Sequence, residues 1–167
     1  MKIDSTTRPR FTNILLEGLV LVGLICLSCS KKHGSSAAGE DPNVTSMGSI
    51  EITARLMEIP DGAIFEKDLY NYATVLKYEV LKVHRGQVET NTIYVGHYNP
   101  FKPRSEAADK WIKGIGGNLK SFRSGHIHRM ALEVPIDDYY MGGIINKYFG
   151  KFDVPTYWAV WTNEVSK

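Results

Sequence analysis

Apolar and polar residues alternate along five separate stretches of the chain, and this period of two predicts five β-strands that each bury one face. The first stretch begins at Ser49, after which Ile50, Ile52, Ala54 and Leu56 alternate with polar neighbours. The other four stretches span residues 69–86, 91–98, 125–134 and 155–163. The pattern therefore predicts a mainly β domain over residues 49–167.

The second stretch changes phase near its middle. Leu76, Tyr78 and Val80 share one face, and Leu81 and Val83 take over that face further along. A β-bulge produces this one-residue slip and also bends the strand. We therefore expect a long, bent second strand.

The segments between the later strands have a different pattern, which favours short helical turns. "SEAADKWI" has a serine in the N-cap position, and "NLKSFRSG" places Leu119 and Phe122 three residues apart. "IDDYYMGGIINKYFG" predicts a short helix with Asp137 or Asp138 as N-cap and Gly150 at its C-terminal end. The two carboxylates could alternatively form a pair for acid–base work.

Five strands, one of them long and bent, with helical material between the third and fourth, resemble the OB-fold, a small Greek-key barrel. "YEVLKVHRG", "TIYVG" and "FRSGHIHRMALEV" are also similar to the barrels of netrin-like and metalloproteinase-inhibitor modules over about residues 49–162. The chain lacks the framework cysteines of those modules, so protease inhibition is not carried over. We predict a five-stranded OB-like Greek-key barrel with one or two short helices.

The first 29 residues differ from the rest and predict an export signal. A basic start precedes an uninterrupted apolar run at 18–27, which is too short to span a bilayer of about 30 Å. A membrane anchor that begins near Ile14 is the alternative, and Glu17 argues against it. Residues 30–48 are small, polar and rich in Gly and Ser, which predicts a flexible tether.

"CLSCS" at the end of this signal resembles the processing box of bacterial lipoproteins, in which the last cysteine becomes the lipidated first residue. Ser28 fits the small residue before Cys29, whereas Cys26 stands where the family usually has leucine. Ordinary cleavage after Ala38 is the alternative. "MALEVPIDDYYMGGIINKYFG" and "YWAVWTN" resemble a family of exported bacterial lipoproteins, and this resemblance implies no particular activity. The resemblance implies a lipid anchor in the outer membrane, with the domain facing the periplasm or the cell surface.

Charge and motifs exclude several function classes. The net charge is +2 and the basic residues are scattered, so we expect no nucleic-acid partner. "GIGG" at 114–117 lacks the strand and helix of a dinucleotide site and predicts a bare loop. No nucleophile or phosphate-binding motif is present. These observations favour a binding or accessory module without catalysis of its own.

The "HIH" sequence is the basis of a competing, metal-dependent function. His126 and His128 share a strand face at about 6–7 Å, a spacing at which two imidazoles chelate zinc or copper. His97 and Asp137 or Asp138 are the candidate further ligands. Histidines at the end of a barrel also often bond backbone carbonyls, which is the structural alternative.

Aromatic residues supply the candidate binding surface. The chain has nine tyrosines and three tryptophans, and Trp111, Tyr139, Tyr140 and Trp158 lie in or near loops and the last strand. Exposed aromatic rings on an OB-like barrel stack on sugars or bases. Near-neutral charge and export favour sugars, so we expect a polysaccharide or another envelope protein as partner. Burial in the core is the alternative for Trp158 or Trp161, because their parities differ.

Overall fold

The computed structural model of the protein describes residues 41–65, 70–151 and 154–165. The predicted signal, Cys29 and residues 30–40 of the predicted tether lie outside these described residues. Within the described part of the chain, no helix is both long enough and apolar enough to cross a membrane.

Five long strands close into a barrel, which confirms the predicted fold class. The elements are α1 (Pro42–Ser46), β1 (Ile50–Glu58), β2 (Ala73–Arg85), β3 (Thr92–Tyr98), β4 (Ile127–Glu133), β5 (Ile144–Ile145) and β6 (Thr156–Glu164). Around the barrel the order is β1–β2–β3–β6–β4 and back to β1, with β3–β6 parallel and the other pairs antiparallel. This is an OB-like Greek-key barrel. The two-residue β5 adds to the edge of β2.

The alternation read from the sequence fills the barrel interior. Ile52, Ala54 and Leu56 of β1 are fully buried, and Met130 and Leu132 of β4 pack in the same apolar cluster. Side chains of this size, removed from water on one face of each strand, supply most of the stabilisation of the barrel.

The predicted bulge in β2 is confirmed, but the burial beyond it is not. Thr53 pairs with Lys82 and Ala54 pairs with Val80, so Leu81 is the extra residue. Leu81 and Val83 are both substantially exposed. The physical reason is that β3 pairs with β2 only as far as Glu79, so the remainder of β2 pairs with β1 alone.

The prediction of a helix around residues 136–150 is wrong. Ile136–Asp138 is a single 3₁₀ turn whose N-cap is Pro135, with no side-chain cap, so neither Asp137 nor Asp138 caps a helix. Further along, Ile144–Ile145 forms β5 on the edge of β2. Two adjacent glycines at 142–143 disfavour a helix here, and the edge of β2 offers the backbone a partner instead.

The middle segment also forms less helix than predicted. Its only helical piece in the described chain is a 3₁₀ turn at Arg104–Glu106. Leu119 and Phe122 belong to no helix, yet both are buried in the barrel core, as a downward-packing turn would require.

A short helix occupies residues that the composition assigned to the tether. The Asp41 carboxylate caps α1 by accepting from the Asn43 N–H at 2.9 Å, and Val44 is fully buried. The Arg85 guanidinium donates to backbone carbonyls of this segment, including those of Thr45 and Gly48. Residues 42–46 therefore form structure within the segment that the composition assigned to the tether, because distant residues supply partners that a polar composition does not reveal.

Candidate functional site

The barrel interior contains a polar cluster built on two neighbouring strands, β2 and β3, and on β4 across the barrel. The hydroxyl of Tyr78 on β2 lies 3.1 Å from Nε2 of His97 on β3 and 3.2 Å from Nδ1 of His128 on β4. All three side chains are fully buried. Because a hydroxyl has one proton, it can donate to only one of the two imidazoles and must accept from the other if both bonds form.

The surroundings keep both histidines neutral near pH 7. Burial, with a smaller electrostatic contribution from nearby His126, lowers the pKa of His128 to about 4. Burial also lowers the pKa of His97, with a contribution from the nearby Arg104 guanidinium. Arg104 is itself buried, and it lies 5.2 Å from the ring centroid of Phe122. Its guanidinium donates to the backbone carbonyls of Tyr98, at the end of β3, and of Lys102, in the loop that follows.

The geometry does not join the histidines into a metal site. His126 Nδ1 lies 3.1 Å from Glu164 Oε1 near the surface, whereas His128 points into the barrel. Asp137 and Asp138 follow β4 and His126 precedes it, so about 20 Å of strand separates them. In the described part of the chain, no group of three or more His, Cys, Asp or Glu residues could hold a metal ion. The zinc or copper hypothesis stays a prediction without geometric support.

The structural alternative for these histidines also needs correction. His128 and His97 bond a tyrosine hydroxyl in the barrel interior, not backbone carbonyls at a barrel end. Their remaining ring nitrogens, His97 Nδ1 and His128 Nε2, have no hydrogen-bond partner among the described residues. The cluster is enclosed, so it cannot contact a substrate.

The aromatic residues predicted for ligand binding do come together, outside the barrel. Trp111 and Tyr140 line a cleft of about 780 Å³ together with Tyr70, Asn71, Tyr98 and Lys102. Trp111, Tyr139 and Trp158 line a neighbouring groove of about 460 Å³. Both volumes lie within the range of about 300–1,000 Å³ that is typical of ligand sites. Trp111 borders both depressions, and we call them together the aromatic cleft.

The four aromatic residues have different roles in the aromatic cleft. The rings of Tyr140 and Trp158 stack at 5.1 Å and 7°, and both residues are almost entirely buried. They form the floor. Trp111 is 73% exposed and Tyr139 is 46% exposed, so these two present ring surface to solvent. The alternative interpretation, that Trp158 is buried in a core, is therefore correct for this residue.

Simple alternation along β6 would place Trp161 on the barrel-interior face with Tyr157 and Ala159, but Trp161 is not part of the interior cluster. Ala131 pairs with Trp161 and Leu132 pairs with Ala159, so an extra residue interrupts β6 between them. This bulge changes the phase of the strand. The Trp161 indole N–H donates to Asp41 Oδ2 at 2.7 Å, which ties β6 to the start of α1.

Asp109 holds the loop that carries Trp111. Its Oδ1 accepts from the backbone N–H groups of Trp111 and Ile112 at 2.8 and 2.9 Å, and its Oδ2 accepts from the Tyr98 hydroxyl at 2.8 Å and from the Asn71 amide. Burial alone would raise the pKa of Asp109, but these hydrogen bonds lower it overall. An ionised Asp109 is therefore a positioning residue for the exposed indole. Sequence reasoning missed it, and the only local signal was an aspartate two residues before Trp111.

The "GIGG" segment is not the bare loop that was predicted, because it docks on β6. Gly116 exchanges two backbone hydrogen bonds of 2.9 Å, one with Val160 and one with Thr162. A Cβ atom at Gly117 would lie 1.9 Å from the Thr162 carbonyl oxygen, and Gly117 has a φ of +135°. Glycine lets the loop approach the strand this closely, which fixes the far end of the segment that carries Trp111.

Comparisons of the chain with protein family models, with curated proteins and with solved structures found no match. What the protein does must therefore be argued from its own residues. Of the two clusters, only the aromatic cleft combines a fixed geometry with access from solvent.

Proposed function

We propose that the protein is a non-catalytic, polysaccharide-binding accessory module of the bacterial cell envelope, held at a membrane by a lipid on Cys29. The observation that carries the binding part of the proposal is Trp111. Its indole is 73% exposed, yet Asp109 fixes the loop on which it stands.

A sugar ring suits this arrangement. The apolar face of a sugar can stack on an exposed indole, as aromatic side chains do on the binding faces of OB-folds. A loop that is already held by hydrogen bonds loses little conformational entropy when the ligand binds. Tyr70 and Tyr139 add further exposed ring surface on either side of Trp111.

The non-catalytic part of the proposal draws on the barrel interior. Tyr78, His97 and His128 are the groups whose environment most resembles that of catalytic residues, with strongly shifted pKa values. They are fully buried and belong to the barrel packing. Shifted pKa values here are accounted for by enclosure.

The anchored part of the proposal rests on the "CLSCS" resemblance and on the chain path. The segment between Cys29 and Asp41 can extend at most about 40 Å. Met47 and Gly48, which follow α1, border the groove beside Trp111. A lipid on Cys29 would therefore keep the start of α1 within about 40 Å of the membrane surface.

The anchor is tested by mass spectrometry of the full chain expressed in a Gram-negative bacterium. We expect a mature N-terminus at Cys29 that carries lipid, and a Cys29→Ser variant that leaves the membrane fraction. Cys26→Ser is the matched control and keeps the lipid. A wild-type N-terminus at Gly39, which follows Ala38, would refute the anchor.

Binding is tested by affinity electrophoresis of the full chain in gels that contain envelope polysaccharides. We expect at least one polysaccharide to retard the wild type and Trp111→Ala to lose this retardation. Phe149→Ala is the matched control, because Phe149 is 87% exposed but borders a different depression. Equal retardation of wild type and Trp111→Ala would show that the aromatic cleft is not the site. A chain that binds an envelope protein and no polysaccharide would refute the proposed ligand class.

A further inference from the structure

Three lysines surround the exposed indole of the aromatic cleft. Lys110 Nζ lies 4.8 Å from the ring centroid of Trp111, Lys102 lines the cleft, and Lys113 lines the neighbouring groove. Among the described residues, none of these three ammonium groups lies within 4.0 Å of a carboxylate oxygen. Positive charge at the rim of the cleft is therefore available to a ligand.

The nearby carboxylates already have partners within the protein. Asp109 accepts four hydrogen bonds, from Trp111, Ile112, Tyr98 and Asn71. Glu133, in the neighbouring groove, accepts from Ser49 and from the Tyr139 hydroxyl. Lys102 lies near enough to Asp109 to help lower its pKa. Lys110 and Lys113 are both exposed, so their charge is open to a ligand beside the indole.

We infer that the ligand of the aromatic cleft is an acidic polysaccharide, whose sugar rings stack on Trp111 while their carboxylates pair with Lys102, Lys110 and Lys113. This inference rests on the proposed function and narrows its ligand class. The observations that carry it are the three lysines, none of which forms an ion pair among the described residues, and their position around the exposed Trp111 indole. Ion pairs at a solvent-exposed rim are screened by salt, so the preference for acid must weaken as ionic strength rises.

A single-stranded nucleic acid has the same combination of rings and negative charge, but it fits this surface less well. Proteins that bind single strands track the backbone with a positive groove and offer several rings for successive bases. Here the floor rings of Tyr140 and Trp158 are stacked on each other and almost entirely buried. Three lysines on a chain with a net charge of +2 provide less positive surface than a strand-tracking groove needs, so a short acidic sugar segment matches better.

The experiment compares a galacturonic acid oligomer with a galactose oligomer of the same length and linkage, using isothermal titration of the detergent-solubilised full chain. We expect the acidic oligomer to bind at least about tenfold more tightly at about 20 mM salt, and this advantage to shrink severalfold at about 300 mM, where charges are screened within a few ångströms. An oligothymidylate is titrated as the nucleic-acid probe.

Matched variants separate local charge from total charge. The triple variant Lys102→Gln/Lys110→Gln/Lys113→Gln should lose the preference for the acidic oligomer and keep its affinity for the neutral one. The control Lys82→Gln/Lys120→Gln/Lys147→Gln removes the same number of charges from other exposed positions and should keep the preference.

The outcomes distinguish the inference from the proposed function. Equal or tighter binding of the neutral oligomer overturns the inference of an acidic ligand and remains consistent with the proposed polysaccharide binding. Loss of the preference in both triple variants also overturns the inference, because it assigns the effect to total charge. Binding of neither oligomer, or tighter binding of the oligothymidylate, overturns both.

Discussion

The barrel interior and the aromatic cleft are built from similar residues but differ in access. Tyr78, His97 and His128 lie in the closed interior with no exposed surface, whereas Trp111 stands at the rim of an open cleft. In both places a hydrogen-bonded group fixes an aromatic ring. Side chains with ligand-binding chemistry, such as a pair of histidines, mark a binding site only where solvent can reach them.

The two regions should also respond differently to substitution. Changes in the interior remove buried contacts and therefore lower the free energy of unfolding. Changes at the rim remove surface that only a ligand contacts, so they should lower affinity and leave folding unchanged.

The largest expected contrast lies within the aromatic cleft, between its floor and its rim. Trp158→Ala should lower the free energy of unfolding by about 3–5 kcal/mol, because the Trp158 ring packs under Tyr140 in a buried cluster. Trp111→Ala, the same chemical change at an exposed position, should alter it by less than about 0.5 kcal/mol. Denaturant unfolding measures both. Similar losses for the two variants would show that Trp111 is part of the fold and not a free platform.

A comparably large effect is expected at the buried guanidinium. Arg104→Ala should lower the free energy of unfolding by about 3 kcal/mol. The change removes charged hydrogen bonds and leaves buried backbone carbonyls without the donor that Arg104 now provides. Arg123→Ala is the control, because Arg123 is exposed and should change stability by less than about 0.5 kcal/mol. If the two variants are equally stable, the interior cluster does not support the barrel.

Acid should destabilise the interior through its histidines. The folded-state pKa of His128 is about 4 against an ordinary value near 6.5, so the unfolded chain binds more protons between these values. Stability is then complete above about pH 6.5 and falls by on the order of 3 kcal/mol as the pH drops to about 4. Denaturant unfolding at a series of pH values measures this slope.

A matched pair of variants assigns the pH slope to the interior. His128→Gln should reduce the slope without abolishing it, because glutamine does not titrate and can still bond the Tyr78 hydroxyl, whereas His97 keeps its own lowered pKa. His84→Gln, at an exposed position on β2, should leave it unchanged. A slope as steep in His128→Gln as in the wild type would contradict the enclosed, neutral state of this histidine.

The smallest expected effect concerns the support of the rim. Tyr98→Phe removes the hydroxyl that donates to Asp109 and should lower the free energy of unfolding by about 1 kcal/mol. It should also weaken ligand binding severalfold, because the loop that carries Trp111 is held less firmly. Tyr70→Phe, which removes the hydroxyl of an exposed tyrosine in the same cleft and keeps its ring, is the control. Unchanged affinity in Tyr98→Phe would mean that the hydrogen bond from Tyr98 to Asp109 does not contribute to positioning Trp111.

The parts of the fold that the sequence predicted depend on local periodicity. The alternation in β1 reports which face is buried, and the phase slip at Leu81 reports the bulge, because both are properties of consecutive residues. The helix expected after Pro135 failed for the opposite reason. Ile144 pairs with the edge of β2, which is about seventy residues away in the chain, so no local sequence pattern predicts this pairing.

The candidate site was predictable in its residue types and not in its geometry. Trp111, Tyr139, Tyr140 and Trp158 were singled out as aromatic residues near loops, and the structure brings them to one place. Which rings are floor and which are rim depends on tertiary packing. The support from Asp109 likewise requires Asn71 and Tyr98, which only the folded barrel places beside it.

The most direct test of the central claim follows the three indole N–H signals in a ¹H–¹⁵N spectrum of the labelled full chain during titration with the acidic oligomer. Trp111→Phe identifies the Trp111 signal. The account predicts the largest shift at Trp111, a smaller one at Trp158 beneath it, and none at Trp161, whose indole is bonded to Asp41. Saturable binding that shifts Trp161 and leaves Trp111 unmoved would contradict it.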